Sequence, residues 1–196
     1  MNVKNISNIR FATNQGFALL ITLVVVSVIL AIGLSLLFVT TKQYLLSVTA
    51  NESEKAFQSA QIGLDCMRYH RANANTRAQF LREGGAWPPV LSCAGMPSIA
   101  PETNSAINIG GGIWLYNYVY KYSINNNRCA EPSVWIADLR NSTGNLNYNL
   151  SGEGLSNITC TAGTICTVIF GRGYNRPCGQ LNNSIYTIQR EITIQY

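Results

Sequence analysis

The sequence is poor in charge and has a single histidine, and both shortages narrow what the protein can do. Only 12% of its 196 residues are charged, and the net charge of +5 includes Lys4 and Arg10, which precede a long apolar run. His70 is the one histidine, so a Ser-His-Asp or Cys-His arrangement has only one possible base. The predicted head has few acids and no close pair that would separate acid and base roles; they are chiefly Glu102, Glu131, Asp138, Glu153 and Glu191. We therefore expect no enzymatic activity and no cofactor.

Clustered basic residues and phosphate-binding loops are also scarce. The nearest candidate for a nucleic-acid contact is a group of four arginines near the end of a predicted helix, namely Arg68, Arg71, Arg77 and Arg82. We interpret them as a solvated face, with DNA contact as the alternative. The glycine-dense stretches Gly110-Gly111-Gly112 and Gly171-Arg172-Gly173 match no nucleotide-binding motif. We expect both to be turns.

Six cysteines are present, and all of them follow the apolar run. They are Cys66, Cys93, Cys129, Cys160, Cys166 and Cys178. The even number favours disulfides formed in an oxidising compartment. Zinc is the competing interpretation, but zinc ligands usually come in shorter pairs than Cys160 and Cys166, the closest two here. Six cysteines can pair into three disulfides in many ways, and the sequence alone does not select one of them. Our choice is Cys66 with Cys93, which would tie a helix end to the following loop, and we expect no metal site.

An uncharged run over residues 17–39 (FALLITLVVVSVILAIGLSLLFV) dominates the N-terminal part. As a helix it would span roughly 35 Å, enough to cross the hydrocarbon core of a bilayer. A secretory signal has a shorter apolar core with a small-residue cleavage site behind it. Val48-Thr49-Ala50 imitates such a site, but polar residues including Lys42 separate it from the run. Lys4 and Arg10 favour a cytoplasmic start, so we expect a retained transmembrane helix with the rest of the chain outside.

The residues at the start of this run carry a family resemblance. A short basic leader and Asn14-Gln15-Gly16, followed directly by the apolar run, resemble the class III signal of type IV pilins. The resemblance implies that prepilin peptidase cuts between Gly16 and Phe17 and that the new Phe17 amine is methylated. The mature chain would then keep its apolar helix, which enters the core of a filament.

Two further features resemble one branch of that family. Most major pilins carry a glutamate five residues into the mature chain, where this sequence has Ile21. A carboxylate in a membrane helix is costly and usually functional, so its absence argues against a major pilin. PilX-type minor pilins and K-type minor pseudopilins are similar in lacking it. In addition, AFQSAQIGL at residues 56–64 resembles the PilX-type AFxAAExGL stretch.

Small residues recur along the apolar helix and indicate contact with other helices. Ser27, Ala31 and Ser35 lie four residues apart, which lets helices approach closely in lipid. The alternative is a single-pass anchor whose small residues fall there by chance. With the resemblance, we expect the partners to be other pilin subunits, prepilin peptidase and the inner membrane. A surface or DNA ligand of the extracellular part stays open.

The remainder of the chain predicts a longer helix followed by a β-rich head. Apolar residues recur at helical spacing and predict a face that packs on a sheet, namely Tyr44, Val48, Phe57, Ala60, Leu64 and Met67. Gly84-Gly85 and Pro88-Pro89 break any helix. We predict strands at residues 113–124, 134–139, 167–170 and 186–196. Tyrosines at every second position from Tyr116 to Tyr122 are expected to pack partly against the helix.

The predicted fold class is therefore α+β and type IV pilin-like. A long N-terminal helix, with a transmembrane half and an amphipathic half, would pack on a C-terminal antiparallel sheet. We divide the chain into a prepilin leader (1–16), a transmembrane helix (17–39), a helical continuation (40–83) and a disulfide-bearing β-rich head (84–196).

The leading functional hypothesis is a minor type IV pilin that helps initiate or cap pilus assembly. It would support adhesion, twitching motility, aggregation or DNA uptake, first in the inner membrane and then in the extracellular pilus. One alternative is a minor pseudopilin of a type II secretion system. Another is a bitopic membrane protein with an extracellular ligand-binding head, in which the leader is never removed.

Overall fold

A computed structural model of the chain describes residues 12–150, 155–182 and 186–196. It forms two compact units, Met1–Thr49 and Ala50–Tyr196. Helix α1, Ala12–Ala72, belongs to both units: its first part lies in the first unit and its second part in the second unit. Most of the predicted leader lies outside the described residues. The four-part division made from the sequence remains a prediction.

A second short helix follows α1 almost at once. Helix α2 covers Ala74–Phe80, and the Asn73 side chain caps it by accepting a hydrogen bond from the Asn75 backbone N–H at 3.0 Å. Single 3-10 turns lie at Glu83–Gly85 and Cys178–Gln180. The strands are β1 (Leu91–Cys93), β2 (Met96–Ile99), β3 (Thr103–Gly110), β4 (Ile113–Val119), β5 (Tyr122–Ile124), β6 (Arg128–Asp138), β7 (Leu146–Leu150), β8 (Leu155–Cys160), β9 (Ile165–Tyr174) and β10 (Gln189–Gln195).

The central element of the head is a six-stranded antiparallel sheet. Its strands lie in the order β10-β9-β6-β4-β3, and β5 pairs with β6 beyond the end of β4. Strands β1 and β2 form one separate hairpin, and β7 and β8 form another. The predicted antiparallel sheet and the α+β fold class are therefore confirmed.

The second half of α1 packs on one face of this sheet through small residues. Ala56 and Ala60 are fully buried, and Leu64 and Met67 continue the contact into a shared core with β4, β6 and β9. Of the residues predicted for the packed face, Tyr44, Val48 and Phe57 are wrong. Tyr44 and Val48 precede the packed stretch and are exposed, and Phe57 is 48% exposed because the face that meets the sheet lies one residue further round, at Ala56 and Ala60.

The stretch Gly171-Arg172-Gly173, predicted to be a turn, is instead part of strand β9. A Cβ on Gly171 would come within 2.9 Å of the Leu64 Cβ and would clash with the Ala60 carbonyl oxygen. A Cβ on Gly173 would clash with the Ala56 backbone. These glycines serve close helix-sheet approach rather than chain reversal. The other stretch, Gly110-Gly111-Gly112, does form the β3–β4 turn, with positive φ at each glycine.

The opposite face of the sheet has a core of its own. Leu115, Ala137, Val168 and Phe170 pack there with Leu150 and Ile158 of the β7–β8 hairpin. The Trp135 and Tyr148 rings lie 6.2 Å apart across this contact. The head is thus layered as helix, sheet and hairpin.

The tyrosine row is confirmed as a packing feature. All four tyrosines of the row are buried, at 6% exposure or less, and belong to the helix-side core. The Tyr118 hydroxyl donates to the Phe80 carbonyl and the Tyr120 hydroxyl donates to the Pro89 carbonyl, each at 2.9 Å. Burial raises the pKa of Tyr120 and of Tyr122. The row therefore anchors α2 and the following loop to the sheet.

Candidate assembly helix and head surface

The first half of α1 presents apolar side chains to its surroundings along its described length. Every side chain from Gly16 to Ala50 is exposed in the structure, and no charged residue occurs between Phe17 and Val39. The mean hydropathy reaches 3.0 in its most apolar window, so among the described helices it is the one long and apolar enough to cross a membrane. Such a surface is unfavourable in water unless lipid or another protein covers it.

Five hydroxyl groups on this half of α1 are bonded to carbonyls of the same helix. Thr22 and Ser27 donate to carbonyls three residues earlier, at 2.9 and 2.7 Å. Thr40, Thr41 and Thr49 donate to carbonyls three and four residues earlier. Hydroxyls bonded in this way add no unsatisfied donors when the helix enters an apolar medium. The segment is thus chemically suited to lipid despite these polar residues.

The predicted helix-packing residues Ser27, Ala31 and Ser35 lie on this exposed half of α1. Residues four apart share one face of a helix, so together they form a shallow strip between larger side chains. The Ser27 hydroxyl is turned to its own backbone, which leaves the strip largely apolar. The structure contains no neighbouring chain, and the role of the strip stays a prediction.

The predicted processing residues lie near the start of α1. Gly16 has open space around the position of a Cβ, and the Phe17 side chain is 68% exposed. Ile21, at the position where the resemblance would expect a glutamate, is also exposed. The basic residues Lys4 and Arg10 lie outside the described residues. Cleavage after Gly16 therefore remains a prediction from the sequence.

Three disulfides hold the head together and use all six cysteines. Cys66 of α1 is joined to Cys93 at the end of β1, as predicted, with Cα atoms 5.8 Å apart. Cys129 is joined to Cys178, and Cys160 to Cys166. The first bridge ties the helix to the following loop, and the second ties β6 to the segment before β10.

His70 lies beside the first disulfide and is buried, although a position near a helix end usually favours exposure. It is 8% exposed, and its Nε2 lies 3.2 Å from the Ser92 carbonyl oxygen and 3.3 Å from the Ser92 backbone nitrogen. Potential ligand atoms of Cys66, His70 and Cys93 lie within 4.8 Å of one another. A bridged pair of sulfurs offers no thiolate for zinc, so the geometry favours the disulfide interpretation.

The four arginines considered for nucleic acid do not form one solvated face. Arg68 and Arg77 are exposed, but Arg71 is only 6% exposed and donates from Nε to the Thr167 hydroxyl at 3.1 Å. Burial lowers the pKa of Arg71. Arg82 binds Tyr118 and Asn104. Arg71 and Arg82 therefore act within the fold, and of the two exposed arginines Arg68 pairs with Asp65 at 3.7 Å.

A polar network joins the second half of α1, near its start, to residues at one end of the sheet. Glu52 accepts from Lys55 at 2.6 Å and from the Asn175 side chain at 2.9 Å. These bonds, that of Lys55 first, lower the pKa of Glu52. Arg128 donates to Gln58 at 3.0 Å. The stretch Asn51-Glu52-Ser53-Glu54 is thus partly bonded to the head, with Asn51 and Glu54 exposed and Glu52 half-buried.

Two surface features of the head were missed by the predictions made from the sequence. Strand β3 lies at the edge of the central sheet and was not among the predicted strands. Next to it, Trp114 is 41% exposed at the end of a stack with Tyr116, whose ring centroid is 6.3 Å away. The alternation of Ser105, Ile107 and Ile109 with polar or small residues was the local signal that could have revealed the strand.

Comparison with protein-family models, with curated proteins and with solved structures found no match to this chain.

Proposed function

We propose that the protein is a minor type IV pilin, a non-catalytic subunit that helps to initiate or cap a pilus. The observation that carries the proposal is a single helix, α1, whose first half is exposed, uncharged and apolar and whose second half is built into the core of a disulfide-bonded head. In this arrangement the helix would assemble with other subunits while the head is displayed. The Gly16-Phe17 signal supports the same conclusion.

The lack of a carboxylate near the start of the helix supports a minor role. Ile21 and its neighbours carry no charge, so this part of the chain offers no acidic partner for the amine of an adjacent subunit. A subunit of this kind would not propagate a filament by that contact. It would instead occupy a limited number of positions, for which the tip is the natural site.

The mass of the N-terminal peptide tests the proposal directly. Purified from the membrane of its own cell, the chain should begin at Phe17 with a methylated amine. Gly16→Ile should block the cut and leave the leader in place, whereas Asn14→Ile, two residues away, should be processed. A wild-type chain that keeps Met1 to Gly16 would refute the proposal and favour the bitopic membrane protein.

A further inference from the structure

A polar cleft of about 580 Å³ opens in the head where the second half of α1 meets the start of β6 and the segment after β9. Its described lining contains no apolar residue. The cations are Lys55, Arg128 and Arg176, the acids are Glu52 and Glu54, and the others are asparagine or glutamine. The volume lies in the range of small-molecule sites in proteins. A ligand of this cleft would have to be polar, because an apolar surface would gain no contact there.

The two carboxylates of the cleft already accept hydrogen bonds from the protein. Glu52 accepts from Lys55 at 2.6 Å and from the Asn175 amide at 2.9 Å. Glu54 accepts from the Gln58 amide at 3.2 Å. Lys55 is in turn occupied by its ion pair with Glu52. These groups therefore bind one another and leave little capacity for a cationic ligand.

The two arginines have donors to spare. Arg128 donates from one amino group to Gln58 at 3.0 Å. Arg176 pairs with no carboxylate in the described part of the chain, and its Nε is buried there without a hydrogen-bond partner. A buried donor without an acceptor is unfavourable, and more so when it belongs to a charged group. An acceptor from outside the chain would satisfy it.

Both arginines are attached to parts of the fold that are firmly held. The Cys129–Cys178 disulfide joins the strand that begins at Arg128 to the segment that follows Arg176. Asn175, the neighbour of Arg176, is 5% exposed, and its Oδ1 accepts a backbone N–H at 2.8 Å. A site whose walls are fixed before the ligand arrives loses less conformational entropy on binding. The cleft is in this sense ready for a ligand.

The charge of the cleft limits the anion that it would accept. Three cations and two acids leave one positive charge in excess. A carboxylate carries one negative charge, and it matches the planar fork of a guanidinium through two parallel hydrogen bonds. A phosphate monoester carries about two negative charges at neutral pH and would be repelled by Glu52 and Glu54. A nucleic acid needs several cations along its backbone, without acids between them.

We propose that this cleft binds a hydroxylated monocarboxylate of about the size of a sugar acid. Its carboxylate would bind Arg176 and Arg128. Its hydroxyl groups would bind the amides of Asn51 and Asn127, which line the cleft and are exposed. None of these residues belongs to the apolar half of α1, so the inference goes beyond the proposed function and does not depend on it.

Calorimetric titration of the full chain in detergent with D-glucuronate tests the inference. The chain should bind glucuronate and should not bind glucose, which has a similar ring but no carboxylate. Arg176→Gln should weaken the binding by about tenfold or more, because it removes charge-assisted hydrogen bonds. Arg68→Gln is the matched control, since Arg68 is an exposed arginine of α1 that pairs with Asp65 outside the cleft. It should bind glucuronate as the wild type does.

A second pair of variants applies if Arg176→Gln lowers the melting temperature of the head. Asn127→Asp adds a negative charge at the exposed β5–β6 turn, and it should weaken binding by repulsion without removing a core contact. Asn149→Asp places the same charge on an exposed position of β7, away from the cleft, and should leave binding unchanged.

The outcomes separate this inference from the proposed function. It is overturned if glucuronate does not bind, if glucose binds equally well, or if inorganic phosphate or a short oligonucleotide binds more tightly than glucuronate. Binding that neither Arg176→Gln nor Asn127→Asp weakens also overturns it. A chain trimmed to Phe17 that binds no glucuronate refutes the ligand site alone, whereas an untrimmed chain that binds it refutes the pilin proposal alone.

Discussion

Gly171 on strand β9 lies directly beneath Ala60 of α1, so close that a Cβ on the glycine would clash with the alanine carbonyl oxygen. The same relationship recurs one turn earlier in the helix, between Gly173 and Ala56. Two glycines of one strand and two alanines of one helix thus let the helix rest against the sheet backbone. This contact holds the second half of α1 on the central sheet.

Alanine at Gly171 should destabilise the head by about 1–3 kcal/mol or more, because the added methyl group forces the helix away from the sheet. The melting temperature of the full chain in detergent measures the effect. Gly179→Ala is the matched control, since a Cβ there meets no atom within 4 Å. Equal melting temperatures for the two variants would show that the helix can shift without cost.

The three disulfides should stabilise the head in the order of their loop lengths. On a chain-entropy basis, replacing each pair with serine should cost about 4 kcal/mol for Cys129–Cys178, about 3.5 for Cys66–Cys93 and about 2 for Cys160–Cys166. The sequence separations behind this order are 49, 27 and 6 residues. Urea denaturation of the three double variants tests it. A reversed order would show that local packing outweighs loop closure.

Tyr120→Phe should cost about 1–3 kcal/mol, because it leaves the buried Pro89 carbonyl without its donor. Tyr69→Phe removes a hydroxyl from a residue that is 66% exposed, and it should change the free energy of unfolding by less than about 0.5 kcal/mol. Chemical denaturation of both variants provides the comparison. If the two values agree, the Tyr120 bond contributes no net stability.

Asp138 should make the stability of the head sensitive to acid. Burial alone would raise the pKa of its carboxyl, but bonds from the Arg140 side chain and backbone hold that pKa below its usual value. A carboxyl with a lowered folded pKa contributes its stability above the unfolded pKa of about 3.9, and that contribution is lost as pH falls through the folded pKa. The melting temperature should therefore fall as the pH decreases below about 4.

Asp138→Asn isolates this contribution. At neutral pH the variant should be less stable by about 2 kcal/mol, and the difference from the wild type should shrink in acid. Asp65→Asn serves as the control, because Asp65 pairs with Arg68 only at 3.7 Å on the surface. A constant difference between pH 7 and pH 2 would exclude titration of Asp138 as its source.

Ala31→Phe should impair assembly without preventing membrane insertion, because the ring fills the strip of small residues and keeps a neighbouring helix away. Ile29→Phe places the same ring on the opposite side of α1 and should be tolerated. The measurement compares the amount of each variant in sheared filaments with the amount in the membrane. If both variants reach the filament equally, the strip is not an assembly surface.

Local sequence patterns determined much of the architecture. The uncharged run predicted the apolar half of α1, and the alternation of tyrosines predicted a strand packed against helical elements. Both depend on residues near one another in the chain, so periodicity is sufficient to detect them. The pairing of Cys66 with Cys93 was also accessible, since these two cysteines are neighbours in the sequence of cysteines and lie 27 residues apart.

The burial of His70 and Arg71 could not be read from the sequence in the same way. Both residues are polar and lie in the last turn of α1, where solvent exposure is the usual expectation. They are buried because β1 and the Thr167 region of β9 pack over this turn. Strands β7 and β8 were missed because asparagine is typical of turns, although Leu146, Tyr148 and Leu150 of β7 alternate with asparagines.

By itself, then, the sequence determined a long helix with an apolar half, a β-rich head with an even number of cysteines, and a start that resembles a pilin signal. Only the tertiary structure decided that Gly171 and Gly173 lie under the helix, that Cys129 meets Cys178, and that β3 is left at an edge. The physical reason is the separation along the chain of the residues that interact. Composition and periodicity act between near neighbours, whereas strand order and close backbone contacts depend on residues that meet only after the sheet has formed.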